Sequence, residues 1–474
     1  METVRHGKIK SLLILAVLIA VFAGIFAVYG PWMCSDSEQY INMHIHREPL
    51  YPLFLWVLRL LFGEGFLTAM GILQGVLAAV GIWAFAEYVS KKFTLHFWEE
   101  LVILVLLFFP YAVTRFFSQT RLFIPNSVMS EGLSMPFFLL FLIQCFEMFT
   151  QEKKREFLKA AGVSLLLAFL LALARSQMMS LLLVWLVVFG VKILYTKAWR
   201  KKILRLAAAA GIVLLVFALR GFCVKTYNLA FNGRFINNTN GTVHMLTNIL
   251  YAADGEDGEN IQDEEAKAFF NQMYHLTEMN QANYKFAGDT LTEKLNHLEE
   301  WHNTINFEMI EAVLRVSYRE NVTEDYIEQD LLSDETAGKI IAGILPGCFP
   351  KWFANYMMMV GFGLIRSIAV AHPLINWIAI AFYLFAAAVA VISVRQRLKC
   401  GKKIGAEVWF LLLVLLTIFA NAFTVAMVIM PISRYMIYGF APFYTAGFVL
   451  LISLYRVWQE KRIEKGQKTW AIKI

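Results

Sequence analysis

A few ionisable residues stand beside long apolar runs, and their types define a chemistry. Asp36 and Glu38 follow the first apolar run; His44, His46, Arg47 and Glu48 come next. Arg115 and Arg121 lie between the third and fourth runs, Glu131 opens the fourth, and Arg175 sits between the fifth and sixth. Lys351 and Arg366 flank a late apolar stretch, and Arg434 precedes the last run. A carboxylate can take a proton from an attacking hydroxyl. Arginine and lysine can hold a phosphate and stabilise it as it leaves. A lipid-phosphate substrate would bind where membrane meets water, and all these residues fall near run ends on one predicted side. Ionisable groups at membrane depth are costly, which makes each a functional candidate.

The elements that must position them are membrane spans. Hydrophobic residues make up 58% of the 474 residues and charged residues 17%, against roughly 45–50% and 25% in ordinary globular chains. Mean hydropathy is +0.56. A disordered or fibrous chain is excluded, and a simple soluble enzyme does not fit. Spans of about 20 apolar residues are expected at 11–30, 66–89, 97–113, 131–149, 157–174, 177–195, 203–222, 374–394, 406–428 and 437–455. The expected fold is an all-α polytopic membrane protein with about ten transmembrane helices.

Charge sets the sidedness. Lys91-Lys92, Lys153 to Arg155, Lys197 to Lys202, Arg395 to Lys403 and the tail from Arg456 to Lys473 recur on alternate turns. Lysine and arginine are retained on the cytoplasmic side, so both termini are expected there. Residues 251–340 carry 21 acids and 6 bases, a net of −15, which leaves +22 elsewhere out of a total of +7. The basic excess is therefore a topology signal, and nucleic acid is not an expected partner. Three regions follow: 1–222, an N-terminal membrane module; 223–350, an acidic, mostly helical extracytoplasmic domain; and 351–474, a C-terminal membrane module. Pro49 to Gly63 is too short to span, and Trp352 to Ala371 would break the charge pattern if it spanned. Both are expected as amphipathic helices on the outer surface.

At this point the motifs resemble a known family. Ser35-Asp36-Ser37-Glu38-Gln39-Tyr40, then Arg47-Glu48-Pro49-Leu50-Tyr51-Pro52 and Leu61-Phe62-Gly63, resemble the first outer loop of GT-C membrane glycosyltransferases. The likeness is closest to the branch of protein O-mannosyltransferases and the lipid A aminoarabinose transferase. Ser130-Glu131-Gly132-Leu133 resembles that branch's "S-E-x-L", Leu171 to Arg175 its "L-x-R-P" turn, and Arg434-Tyr435 with Pro442 its late "R-Y…P" segment. Ser176 stands where the family usually has proline, and Ser37 separates acids that are often adjacent. The resemblance covers roughly 1–195 and 405–455.

It implies a GT-C-like fold and transfer of a sugar from a polyprenyl-phosphate carrier to an acceptor hydroxyl on the outer face, with inversion. Asp36 would be the catalytic base and Glu131 a second acid. Arg175 and Arg434 would be donor-phosphate partners; charge and position alone add Lys351 and Arg47 as phosphate partners and Glu38, His46 and Arg121 as further candidates. The implied partners are the lipid-linked donor, an acceptor and the bilayer. No cofactor is called for, and a divalent metal stays open. The expected location is a bacterial plasma membrane. Two other classes remain: a polysaccharide polymerase or ligase with lipid-linked donors, and a transporter or lipid flippase, which would show mid-span charges and paired halves.

Other signals are blander. Ser35 to Glu38 also has helix N-cap composition. Glu131 would in any case favour a helix N-terminus. Asp254 to Glu259 misses the EF-hand pattern and reads as a solvated acidic turn. His44 and His46, two apart, cannot share a helix face. The five cysteines show no metal-site spacing.

Overall fold

The computed structural model describes residues 2–116, 121–194, 199–369, 373–399, 401 and 403–471. It is helical throughout; among the described residues the only β-type pairing is an isolated bridge between Trp32 and Ser127. In chain order the helices are α1 (Glu2–Tyr29), α2 (Ser37–Ile41), α3 (Leu50–Phe62), α4 (Phe66–Lys92), α5 (Phe97–Phe116), α6 (Glu131–Thr150), α7 (Lys154–Ala174), α8 (Ser180–Leu194) and α9 (Trp199–Asn232). Then come α10 (Gly241–Ala252), α11 (Glu264–Met279), α12 (Leu291–Thr304), α13 (Ala312–Asn321), α14 (Tyr326–Arg366), α15 (Pro373–Lys399), α16 (Ala406–Val428), α17 (Ser433–Met436) and α18 (Phe440–Ala471).

Among the described residues ten helical stretches are long and apolar enough to cross a membrane, the architecture of a multi-pass membrane protein. They match the ten runs expected from sequence, with α3 and α4 forming one stretch, Leu50–Lys92. The bundle core is built from aromatic and aliphatic side chains such as Phe22, Phe85, Phe141, Phe146 and Phe410. Small residues set how closely the helices approach. A Cβ on Gly81 of α4 would stand 2.9 Å from the Pro136 backbone of α6, so glycine there permits this crossing.

The bundle has two chemically different ends. At one, Lys10 pairs with Glu100, Lys92 with Glu147, Arg397 with Glu407 and Arg456 with Glu99. The other end carries the 30–49 loop, the turns after α5 and α7, the turn before α17, and a helical unit spanning α10 to α14. That unit has its own core, including Leu246, Phe270, Met273, Ile310 and Ile340. Ala422, Val425 and Ala426 at the end of α16, with Met430 and Met436 just beyond, belong to the same core. The unit is therefore seated on the bundle.

One expectation changes. The described part of the Trp352 to Ala371 stretch is not a separate helix; residues 370 and 371 lie outside the described ones. Residues 326–366 form one helix of 41 residues that carries Pro346 and Pro350 internally, and the turn after it follows at 367. The expected boundaries at 222/223 and 350/351 fall inside α9 and α14. The Pro49 to Gly63 segment does form a helix, α3. It buries Tyr51, Leu55 and Leu58 and exposes Trp56, Leu60, Leu61 and Phe62; an apolar outer face of this kind suits contact with lipid.

Candidate functional site

The site lies where loops from four parts of the chain meet. Glu131 is the first residue of α6, where its charge complements the helix dipole. It is fully buried, a position a carboxylate holds only when paired. Its Oε2 lies 2.5 Å from Arg175 Nη1, and its Oε1 accepts from Arg434 Nε at 2.5 Å. Arg434 then reaches further: its Nη2 is 2.8 Å from Asp36 Oδ2. The other Asp36 oxygen accepts from Arg47 Nη2 at 3.0 Å. The result is an alternating chain, Arg47–Asp36–Arg434–Glu131–Arg175, of three cations and two anions.

Neighbouring groups hold each member in place. Arg47 donates from Nε to Gln39 Oε1 at 2.8 Å and stacks over the Tyr40 ring. Arg175 donates to Ser130 Oγ at 3.1 Å, and Ser130 Oγ lies 3.2 Å from the Tyr40 hydroxyl. Arg175 and Arg434 both lie over the Tyr435 ring, at 5.4 and 5.7 Å. Gln177 Nε2 donates to the Tyr435 carbonyl and to Asn421 Oδ1. The fixed geometry of these donors is the kind that stabilises a developing anion at little reorganisation cost.

Asp36 and Arg47 are the members most open to approach, each with 23% of its side chain exposed; of the two carboxylates only Asp36 is reachable. Partial burial pulls its pKa upward, but Arg47 and Arg434 outweigh that and hold the carboxyl below its ordinary range. It is therefore ionised at neutral pH and clamped between two guanidiniums. Asp36 directly precedes α2, but its side chain makes no cap bond to that helix, so the capping account of this residue does not hold.

Of the residues singled out from sequence, the fold brings together Asp36, Glu131, Arg175, Arg434 and Arg47. It does not bring Lys351 there. Lys351 pairs with Asp254 in a short contact and lies over the Tyr284 ring, within the α10–α14 unit. Glu38 is exposed on α2. Arg121 is exposed, with its backbone at φ 46° and its carbonyl accepting from Arg115. His46 contacts Asp330 rather than Asp36. His44 and His46 pack ring against ring, 4.4 Å between centroids. Sequence reading named Tyr40, Ser130 and Tyr435 only as motif neighbours, with no role, and missed Gln177 and Asn421. The available signal was weak: Gln177 opens one apolar run and Asn421 is a single amide inside another. Comparison with known proteins finds no matching family model, no similar curated protein and no similar solved structure.

Proposed function

We propose that this protein is a membrane glycosyltransferase that moves a sugar from a polyprenyl-phosphate carrier to an acceptor hydroxyl at the outer face of a bacterial plasma membrane. The observation that carries this reading is the five-residue charge chain at one end of the bundle. It has three guanidiniums for two carboxylates, so one positive charge remains for an anionic ligand. The resemblance of the same segments to GT-C enzymes supports the same reading. The basic turns at the opposite end of the bundle support an orientation that puts this cluster outside and both termini in the cytoplasm.

The chemistry follows from the groups. The donor phosphate competes for Arg434 and Arg175, since guanidinium binds phosphate and carboxylate alike. As Arg434 turns toward phosphate, Asp36 loses one clamp and becomes available as a base. The acceptor oxygen attacks the anomeric carbon while its proton passes to Asp36. The bond from that carbon to the phosphate oxygen breaks, and polyprenyl phosphate departs with the electron pair. Attack opposite the leaving group inverts the carbon. Glu131, held by two cations at full burial, keeps Arg175 and Arg434 in position. A transporter would place its charges at mid-span, whereas these lie at helix ends.

The test is incubation of purified protein with a panel of radiolabelled polyprenyl-phosphate sugars and a range of hydroxyl acceptors. Release of free carrier with at least one sugar is expected. No release with any of them, from protein that keeps its helical content, overturns the reading.

A further inference from the structure

The α10–α14 unit meets the loop that carries Asp36 at the His46–Asp330 contact and at the His44–Tyr326 ring contact, 5.3 Å between centroids, and α14 also packs against α17, which carries Arg434. Asp330 of α14 is fully buried, and both of its oxygens are taken. Oδ1 accepts from Arg315 Nε at 2.9 Å and Nη2 at 2.6 Å. Oδ2 accepts from Thr239 Oγ1 at 3.1 Å and lies 2.6 Å from His46 Nε2. His46 is the one member of this group that belongs to the loop carrying Asp36. The next residue, Arg47, holds Asp36, Gln39 and Tyr40. The one after, Glu48, forms a short ion pair with Arg220 of α9. Three successive side chains thus reach in three directions: to the outer unit, to the proposed catalytic acid, and to a membrane helix. Consecutive Cα atoms are only about 3.8 Å apart, so a shift of His46 is passed directly to Arg47.

A buried carboxylate is a poor device for stability alone, because desolvation offsets much of what its partners return. Its value lies in directional placement. We infer that His46 and Asp330 are positioning residues: the outer helical unit sets the position of Arg47, and through it Asp36, by way of the His46–Asp330 contact. This inference rests on the glycosyltransferase reading for its kinetic consequence, but the mechanical link stands apart from it.

The link can be tested on the full-length protein in nanodiscs, with His46→Ala, His46→Gln, Asp330→Asn and the double variant His46→Ala/Asp330→Asn. Asp334→Asn is the control. Asp334 lies one turn along α14 and accepts from the backbone N–H groups of Asn240, Thr242 and Val243, so it braces the same unit. Two readouts are taken: amide hydrogen exchange over residues 34–49, and kcat against donor KM. His46→Ala and Asp330→Asn are expected to speed exchange across 36–41. They are expected to lower kcat by about ten- to a hundredfold, the penalty for misplacing a reacting group, with donor KM unchanged. His46→Gln keeps an N–H donor and is expected to restore most of the rate. The double variant should be no worse than the poorer single one, because both act through one contact. Asp334→Asn should lower the unfolding temperature and change neither readout. Unchanged exchange in His46→Ala, which leaves the Arg315–Asp330 pair intact, overturns the link. So does a double-variant loss equal to the product of the single losses. If the wild type releases no carrier, the catalytic reading fails while the exchange data still decide the link.

Discussion

Arg434 Nη2 lies 2.8 Å from Asp36 Oδ2, joining the loop after the first helix to the turn before the last. The carboxylate proposed to accept the acceptor's proton is thus held by the cation proposed to receive the departing phosphate. Asp36→Asn keeps the shape and removes the base. Transfer should fall by about 10²–10⁴-fold, the usual worth of a general base, while carrier binding is retained. Turnover and binding of labelled carrier, measured on the same preparation, check this; wild-type turnover would remove Asp36 from the mechanism.

Arg434 serves two acids at once, through Nε to Glu131 and Nη2 to Asp36. Lysine has a single ammonium and cannot reproduce that fork. Arg434→Lys should therefore cost activity almost as severely as Arg434→Ala. The alanine variant should also lose roughly 3 kcal/mol of stability, since Glu131 is left buried with half its compensation gone. Thermal unfolding in detergent and initial rates would show it; a lysine variant at full rate would mean that the fork is unimportant.

The acid limb of activity follows from Asp36. Two arginines hold its pKa below the ordinary value, so the base form persists until the pH drops through that lowered value. The acid limb of kcat/KM should lie below about pH 3.9, the unperturbed aspartate value. Arg47→Gln should move it upward, because one of the two lowering charges is gone. A limb that stays put in that variant would assign it to a different group.

Glu48 behaves in the opposite sense. Its burial raises the pKa from 4.5 to about 7, against the lowering effect of Arg220. Between those two values the folded state holds a proton that the unfolded chain has released. Stability should therefore fall as pH rises from about 4.5 to about 7 and level off above, by on the order of 3 kcal/mol. Glu48→Gln should flatten that slope in a series of unfolding midpoints; an identical slope would place its origin elsewhere.

The α4–α6 crossing depends on Gly81. An added Cβ would meet Pro136 Cβ at 2.8 Å and its Cα at 2.9 Å, and backbone cannot swing aside as a side chain can. Gly81→Ala should cost about 1–3 kcal/mol, as overpacking does. It should also reduce activity, because the same helix α6 begins with Glu131. An unfolding midpoint equal to wild type would show that the crossing has slack.

Much of the helical layout was legible in the chain. Apolar runs of span length announce themselves locally, since each must satisfy its own backbone hydrogen bonds and face lipid. All ten expected runs recur as long apolar helical stretches. The continuity of α14 was not legible. Proline ordinarily interrupts a helix, yet α14 carries Pro346 and Pro350 inside it and passes from polar to apolar composition partway along its 41 residues. The outer unit and the bundle are nevertheless joined by it.

The amino-acid sequence by itself determined which residues had chemistry to offer: acids and arginines at the ends of apolar runs, on one side. Only the tertiary structure decided which of them meet. Arg434 is 303 positions from Glu131, and no local pattern encodes that contact; it is created when the start of α6 and the short helix α17 pack at the same end. The same packing sends Lys351 to Asp254 and His46 to Asp330. The physical reason is that hydrophobic burial is read residue by residue along a helix. An ion pair needs two side chains delivered to within a few ångströms, and that delivery belongs to the whole fold.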